Sequence, residues 1–272
     1  IKRDINDILD CPFDQIKALQ YSEEETIKYS VGPRVYFVGE GDDLIKVRYC
    51  KDEEEADGLL RRGSEAFDNG VPTSRPLGKV DNYVFFSYVP GETVYDVSED
   101  EVKNIAGIQS RMNSVSYGQV MDRYVEQMVF DLIKASLEHL NSLDIDKSFL
   151  SLLESRVSGQ PPLKAVFDHQ DLGIHNLIRS EKGISLIDEE AVGILPVGYG
   201  VIRPVFGRLE YRVSEYGYLE RYLEVFSDEQ REYIEENLVF FRSFFILRNS
   251  SRRFNFGNYE GGIKLLEKVN SF

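Results

Sequence analysis

The chain has 272 residues and a mass of 31.3 kDa, which is enough for one large domain or for two lobes that each have a core. Hydrophobic residues make up 42% and charged residues 29%, as in ordinary globular proteins, and no run approaches the ~20 apolar residues that cross a bilayer. The formal net charge of −15 argues against a nucleic-acid partner, because such binding requires Lys and Arg to neutralise phosphates.

The first third of the chain predicts a β-rich structure with two helices. Strands are indicated by extended apolar and aromatic runs around turns that contain Gly, Asp and Asn, which is typical of β-hairpins. The predicted elements are a helix over 4–20, strands over Thr26–Val38 and Leu44–Tyr49, a helix over Lys51–Phe67, and strands over Leu77–Val80 and Tyr83–Tyr88.

After Val89-Pro90-Gly91-Glu92 the pattern becomes mostly helical. The predicted elements are helices over Ser98–Met112 and Tyr124–Leu143, short strands over Ala165–Phe167, Asn176–Ile178 and Ile184–Ile187, and helices from Glu210 to the end. The many aromatic residues of the last part, for example in Leu238–Phe245, are expected in the core. We therefore expect an α+β fold with a β-rich lobe, residues 1–89, and a mainly helical lobe, residues 90–272.

The cysteine content bears on the compartment. Only Cys11 and Cys50 occur, so no disulfide framework is implied. The first ten residues alternate charged and apolar groups and do not resemble a signal peptide. We expect a reducing, cytoplasmic setting and no membrane partner.

The strongest chemical motif is Asp168-His169-Gln170-Asp171-Leu172-Gly173-Ile174-His175-Asn176, which contains two of the three histidines of the chain. A further apolar strand then ends at Asp188. Asp171 could accept a proton from a substrate hydroxyl, and Asn176 and Asp188 offer the hard oxygen ligands that suit Mg²⁺. The alternative is that Asp171 and Asn176 form turns and Asp188 caps a helix.

This order, His-x-Asp-x-x-x-x-Asn followed by a hydrophobic strand that ends in Asp, resembles the aminoglycoside phosphotransferase and choline kinase-like family. The family usually has His-Gly-Asp, where this chain has Gln170. The resemblance implies a two-lobed, protein kinase-like fold. It also implies that Asp171 is the catalytic base and that Asn176 and Asp188 bind Mg²⁺, while His169 supports the loop.

An upstream lysine agrees with this resemblance. Lys46 lies mid-strand between apolar residues, in a segment that looks like the family's strand ending in Leu-Lys. An ordinary outward-facing lysine is the alternative. The resemblance implies that Lys46 binds nucleotide phosphate and pairs with a glutamate of the next helix. Glu55 fits best among the candidates, which are Glu53, Glu54, Glu55 and the remoter Glu65.

Two further segments resemble the family's nucleotide-binding parts. Ser30, Gly32 and Arg34 belong to a turn that resembles its phosphate loop, although Pro33 removes one backbone N–H. No Walker-type sequence occurs. Phe85–Glu92 resembles its hinge, and the resemblance implies that backbone groups of Ser87, Tyr88 and Val89 bind the base of ATP or GTP. Residues 1–89 are thus expected to bind nucleotide, and residues 90–272 to carry catalysis and the substrate site.

The sequence departs from the family's pattern at two places. The helix after the hinge, which often ends in Leu-His, here has Ile108-Gln109. The region Pro196–Gly200 lacks a later acidic residue, and Gly200 occupies its place. Both departures leave the subfamily and the substrate open.

The expected activity is Mg²⁺-dependent transfer of the γ-phosphate of ATP or GTP to a hydroxyl of a small molecule. An aminoglycoside-type antibiotic is the first expectation, and the biological role is left open between antibiotic resistance and metabolism. A sugar, an amino alcohol or another metabolite is the alternative. A protein kinase is disfavoured because no Asp-Phe-Gly or Ala-Pro-Glu follows Asp188. An inactive nucleotide-binding module would keep the fold without turnover. The acidic balance would steer a cationic substrate, or would simply keep the protein soluble.

Overall fold

The structure, a computed structural model, describes residues 17–18, 35–38, 44–114, 117–202, 204 and 217–271. Its strands are β1 (Lys17–Ala18), β2 (Val35–Val38), β3 (Ile45–Tyr49), β4 (Pro76–Val80), β5 (Tyr83–Ser87), β6 (Glu92–Thr93), β7 (Ala165–His169), β8 (Leu177–Ser180), β9 (Gly183–Leu186) and β10 (Val192–Pro196). Its α-helices are α1 (Glu53–Asp68), α2 (Glu99–Asn113), α3 (Gln119–Ser142), α4 (Lys147–Val157), α5 (Tyr218–Leu223), α6 (Asp228–Glu236), α7 (Leu238–Asn255) and α8 (Tyr259–Glu267). Within these ranges no helix combines the length and the apolar character that a membrane span requires.

Contacts divide the chain into two compact units. The first unit comprises Ile1–Val94 and His175–Val192, and the second comprises Tyr95–Ile174 and Gly193–Phe272. The first unit contains α1 and most of the strands, whereas the second is mainly helical. The predicted α+β class, with a β-rich part followed by a mainly helical part, is confirmed. A lobe boundary at residues 89 and 90 stays a prediction.

The first unit is built on an antiparallel sheet with the order β1-β2-β3-β5-β4. Side chains alternate between its two faces because the period of a strand is two residues. On β5, Phe85 packs on one face with Val47, whereas Val84 and Phe86 pack on the other with Leu59 of α1. Helix α1 thus covers one face of the sheet at β5, and β3 is held by its antiparallel pairing with β5.

Helix α1 begins where the sequence supplies a cap. The side chain of Asp52 accepts a hydrogen bond from the backbone N–H of Glu55, and the first turn is acidic, which suits the positive end of the helix dipole. Its buried face includes Ala56 and Leu59. The predicted helix over Lys51–Phe67 is confirmed to within two residues.

A second, three-stranded sheet of the first unit has the order β6-β8-β9. Strands β8 and β9 form an antiparallel hairpin around Glu181 and Lys182. At its edge Gly91 has φ 143°, and a Cβ there would lie 2.3 Å from the carbonyl oxygen of Arg179. Only glycine permits this approach, which brings the chain after the predicted hinge against β8.

The second unit contains the pair β7 and β10 and seven helices within the described ranges. Helix α2 starts with a capping box, in which the side chain of Ser98 accepts the N–H of Glu101 and the side chain of Glu101 accepts the N–H of Ser98. Phe240, Phe241 and Phe244 of α7 are buried. The prediction that aromatic residues of the C-terminal part form core is confirmed for these three, whereas Phe256 and Tyr259 are exposed.

Several elements differ from the sequence-based prediction. In the region predicted as a helix over 4–20, Lys17–Ala18 is a strand that pairs with β2, since pairing with a sheet edge overrides a weak helical stripe; the rest of that region lies outside the described residues. Helix α4 and strands β6 and β10 were not predicted, and α3 begins five residues before its predicted start at Tyr124. The N-cap of α4, Asp146, whose side chain accepts from the N–H of Ser148, is the signal that could have revealed it.

Candidate active site

Lys46 is the second residue of β3, and its side chain is largely buried. Its side chain is 15% exposed, and Nζ lies 2.6 Å from Oε2 of Glu189. The ring of Phe86, its partner across the ladder, lies 5.8 Å from Nζ. Lys46 therefore does not extend into solvent, and its ammonium group is held next to the acidic turn that follows β9.

Glu55 does not pair with Lys46, which corrects the expectation from the sequence. Its Oε2 instead accepts a hydrogen bond of 2.7 Å from the backbone N–H of Lys51. Glu55 stands in the first turn of α1, where N–H groups before and within the turn lack helical partners and compete for the carboxylate. Glu189 takes the place that was expected for Glu55.

Glu189 is almost completely buried on a short 3-10 turn, Glu189–Ala191. Burial by itself raises the pKa of Glu189, but the ammonium of Lys46 and the hydroxyl of Ser74 lower it, and the net result is a pKa below its ordinary value. The carboxylate is therefore ionised at neutral pH, and it forms a buried ion pair with Lys46.

Asn176 and Asp188 lie at the two ends of the β8–β9 hairpin. The backbone N–H of Ile187 donates to the carbonyl of Asn176 over 2.9 Å, so the two candidate metal ligands lie on neighbouring backbone segments. Asp188 has φ 71° and ψ 61°, the left-handed conformation. A non-glycine residue in this region stores strain, and such strain concentrates at functional sites.

The donors of this hairpin suit Mg²⁺ in kind. An amide oxygen and a carboxylate are hard ligands, and Mg²⁺ in nucleotide sites usually takes few protein ligands together with phosphate oxygens and water. Among the described residues no group of three or more His, Cys, Asp and Glu side chains has metal-ligating geometry. An all-protein cage is therefore not what these residues provide.

The predicted hinge residues follow β5. The backbone N–H of Ser87 donates to the carbonyl of Arg75 over 2.8 Å, and that of Tyr88 donates to the carbonyl of Leu44 over 3.3 Å. Within the described part of the chain the N–H of Val89 makes no hydrogen bond. Of the three backbone donors predicted from the sequence, Val89 is thus the one that remains available for a ligand.

His169 and Asp171 belong to the second unit, at the end of β7. His169 is buried, and its Nδ1 accepts the backbone N–H of Asp171 over 3.3 Å. This bond holds the chain in a turn, so that Asp171 follows two residues after the last strand position. The supporting role predicted for His169 remains a proposal, and this contact is consistent with it.

Asp168, the first residue of the motif, was not predicted as a functional residue. It is fully buried, and this burial raises its pKa to about 6, although hydrogen bonds from Gln109 and from the backbone N–H of His169 act in the opposite direction. Because a buried carboxylate is rare, an acidic residue that directly continues the apolar run Ala165–Phe167 was the signal available in the sequence.

The predicted phosphate loop, with Ser30, Gly32 and Arg34, lies outside the described residues.

The sequence matches no protein-family model and no curated protein. Solved structures, in contrast, resemble it over nearly its whole length. The choline kinase LicA from Streptococcus pneumoniae is 15% identical with a TM-score of 0.61, and the match covers 98% of this chain and 99% of that one.

Two antibiotic-modifying enzymes are similar to the same extent. The spectinomycin phosphotransferase APH(9)-Ia, solved with ADP and spectinomycin, is 12% identical with a TM-score of 0.59. The match covers 94% of this chain and 93% of that one. A thermostable mutant of the aminoglycoside phosphotransferase APH(4)-Ia is 14% identical with a TM-score of 0.62. The match covers 100% of this chain and 97% of that one. The chain therefore has the protein kinase-like fold of the choline kinases and aminoglycoside phosphotransferases, as its motifs predicted.

Proposed function

We propose that this protein is a small-molecule kinase, which transfers the γ-phosphate of ATP or GTP to a hydroxyl group in the presence of Mg²⁺. The observation that carries the proposal is the buried ion pair between Lys46 and Glu189, directly beside the strained Asp188. The ammonium of Lys46 has three N–H donors, so it can bind a phosphate oxygen while it keeps its ion pair with Glu189.

Asn176 and Asp188 are the proposed ligands of the metal ion. Mg²⁺ bound there would neutralise charge on the phosphate oxygens, which is the main requirement of phosphoryl transfer. The left-handed backbone of Asp188 aims its carboxylate differently from that of a residue in regular structure, and the hydrogen bond between Ile187 and Asn176 keeps the two ligands in register.

Asp171 is the proposed general base. As the acceptor oxygen bonds to the γ-phosphorus and the bond to the bridging oxygen of the nucleotide breaks, the hydroxyl proton passes to the carboxylate of Asp171. The hydrogen bond from the N–H of Asp171 to His169 supports this role, because it restricts the position of the base.

Val89 is the proposed hinge donor to the nucleotide base. Its N–H makes no bond within the described residues, whereas Ser87 and Tyr88 use theirs inside the sheet. ADP and AMP occur in structures of two proteins with this fold, which supports a nucleotide in the same role here.

The proposed acceptor is a small cation that carries a hydroxyl group, with an aminoglycoside first and an amino alcohol second. Choline, ethanolamine and aminoglycoside kinases all have this fold, and their named substrates contain amine or ammonium groups. The net charge of −15 favours approach of such a cation through long-range attraction.

The experiment that tests the proposal is a transfer assay with γ-labelled ATP and GTP, MgCl₂, and a panel of acceptors. The panel contains spectinomycin, several aminoglycosides, choline, ethanolamine and neutral sugars. We expect label on at least one cationic acceptor. Lys46→Ala should reduce transfer by about 100-fold or more, and the matched variant Lys79→Ala, on β4 of the same unit, should not. Absence of transfer to every acceptor with both nucleotides would contradict the proposal.

A further inference from the structure

A buried polar relay links helix α5 to the start of the motif that carries Asp171. The hydroxyl of Tyr218 donates to Oε1 of Gln109 over 2.8 Å, and Nε2 of Gln109 donates to Oδ1 of Asp168 over 3.1 Å. The same oxygen accepts the backbone N–H of His169 over 2.7 Å. Tyr218, Gln109, Asp168 and His169 are all buried, so these bonds are protected from competition with water.

A second relay runs parallel to the first, one helical turn further along both helices. The hydroxyl of Tyr222 donates to Oδ1 of Asn113 over 2.6 Å, and Nδ2 of Asn113 donates to the carbonyl of Phe167 over 2.9 Å. The spacing of four residues on α2 and on α5 places both relays on one face of each helix. The two relays of hydrogen bonds therefore connect α5 through α2 to the last residues of β7.

Gly200 lies against the carboxylate of Asp168. A Cβ at this position would lie 1.8 Å from Oδ2 and 2.4 Å from Cγ of Asp168, a distance that no side chain tolerates. Within the described residues Oδ2 makes no well-formed hydrogen bond. The carboxylate of Asp168 thus occupies the volume in which any side chain at residue 200 would begin.

Two residues that lie far apart in the sequence meet at this carboxylate. Gln109 donates to one oxygen of Asp168, and Gly200 makes room for the other. Nothing in the linear sequence relates these positions, which are 91 residues apart by their numbers (200 − 109).

We infer that Asp168 is a positioning residue, whose carboxylate fixes the loop from His169 to Asp171. Gln109 holds this carboxylate by a hydrogen bond, and Gly200 leaves the space that it occupies. The inference rests on the proposed function, because it assigns Asp171 as the base. The chain of contacts is direct: Asp168 accepts the N–H of His169, and His169 accepts the N–H of Asp171. A displacement of about 1 Å at a catalytic group reduces the rate by about 100-fold. Loss of the contacts that Asp168 makes should therefore lower kcat.

A reciprocal exchange of the carboxylate tests the inference. The variants are Asp168→Ala, Gly200→Asp, the double variant Asp168→Ala/Gly200→Asp, and the milder Tyr218→Phe, which removes one hydroxyl from the relay. Tyr233→Phe is the matched control, since its hydroxyl donates to the carbonyl of Pro162 in the same unit. The readouts are kcat and KM with Mg-ATP and the best acceptor of the panel, and hydrogen exchange of the peptide Ala165–Gly173.

Asp168→Ala is expected to lower kcat by about 100-fold with little change in KM, and to accelerate exchange locally in that peptide. Gly200→Asp alone crowds two carboxylates and should be worse, whereas the double variant should recover most of kcat and of the protection. Tyr218→Phe should show the same local effect in smaller degree, and Tyr233→Phe should not show it.

Failure of the inference is separable from failure of the proposed function. If the wild-type protein transfers no phosphate, hydrogen exchange decides alone, and unchanged exchange at Ala165–Gly173 in Asp168→Ala and Tyr218→Phe overturns the inference. If transfer occurs, wild-type kcat in Asp168→Ala overturns it. A double variant that is no better than either single variant also overturns it, even where Asp168→Ala fails to fold.

Discussion

Two buried carboxylates, Asp168 and Glu189, have environments that move their pKa values in opposite directions. Glu189 faces the ammonium of Lys46, and its pKa is lowered. Among the described residues Asp168 faces side-chain amides and backbone N–H groups but no cation, and burial raises its pKa to about 6. Carboxylates with divergent pKa values usually have different roles. Glu189 forms an ion pair with Lys46, whereas Asp168 accepts the backbone N–H of His169.

The raised pKa of Asp168 predicts a pH-dependent contribution to stability. The folded protein binds this proton more tightly than the unfolded chain, so the contribution is largest below pH ~4 and is lost as pH rises through ~6. A difference of about two pKa units corresponds to about 3 kcal/mol.

Chemical denaturation of the wild-type protein and of Asp168→Asn between pH 4 and pH 8 checks this prediction. Other carboxylates titrate in both proteins, so the difference between their free energies of unfolding isolates Asp168. Relative to Asp168→Asn, the wild-type protein should become less stable as pH rises from about 4 to about 6. A difference that is constant over this range would contradict the account.

Glu189→Gln is predicted to destabilise the apo protein and to increase its response to nucleotide. Removal of one partner from a buried ion pair leaves an uncompensated charge and costs about 3 to 5 kcal/mol. Mg-ATP, whose phosphate would replace the lost carboxylate at Lys46, should therefore raise the melting temperature of the variant more than that of the wild-type protein.

The exposed pair between Lys79 and Asp57 provides the control for this experiment. Asp57→Asn should change stability by no more than about 1 kcal/mol and should leave the response to nucleotide unaltered. If Glu189→Gln and the wild-type protein gained equal melting temperature from Mg-ATP, Lys46 would not be the phosphate ligand.

At the scale of elements, Gly91 is the point where the chain that follows the hinge joins the β6-β8-β9 sheet. Gly91→Ala would place a Cβ 2.3 Å from the carbonyl oxygen of Arg179 at a φ of 143°. We expect a loss of about 2 to 4 kcal/mol of unfolding free energy, measured by urea denaturation. Gly159→Ala, where a Cβ meets nothing within 4 Å, is the control; equal stability of both variants would contradict the close approach.

Local pattern predicted the regular elements well. The alternating strands β4 and β5 with their Asp81-Asn82 turn, the helix α1, and the hairpin β8–β9 all lie within two residues of their predicted positions. Each has a strong signal of its own, either apolar and aromatic runs on both sides of a turn or a cap followed by an amphipathic stripe. Strand β1 and helix α4 have weaker local signals, and β1 depends on its partner strand.

Long-range pairings could not be predicted from pattern. Lys46 and Glu189 are 143 residues apart, and Gln109 and Asp168 are 59 residues apart. The choice of Glu55 was wrong because sequence proximity said nothing about the competing N–H group of Lys51. Sequence reasoning identified the residue types of the candidate site, whereas the fold decides which of them meet.

At the scale of the whole molecule, the likeness to small-molecule kinases extends over 98% of this chain in the choline kinase comparison, at only 15% identity. Fold is therefore retained where most side chains have changed, and function must be argued from the site. Of the proposed site residues, Lys46, Asn176 and Asp188 belong to the first unit and Asp171 belongs to the second.

The measurement that tests the central claim most directly is single-turnover transfer of labelled γ-phosphate from Mg-ATP to the best acceptor, by the wild-type protein and by Asp171→Asn. The account predicts transfer by the wild-type protein and a rate about 100- to 10,000-fold lower in Asp171→Asn, with nucleotide affinity unchanged. Transfer at the wild-type rate by Asp171→Asn would contradict the assignment of the base, and no transfer by the wild-type protein would contradict the kinase function itself.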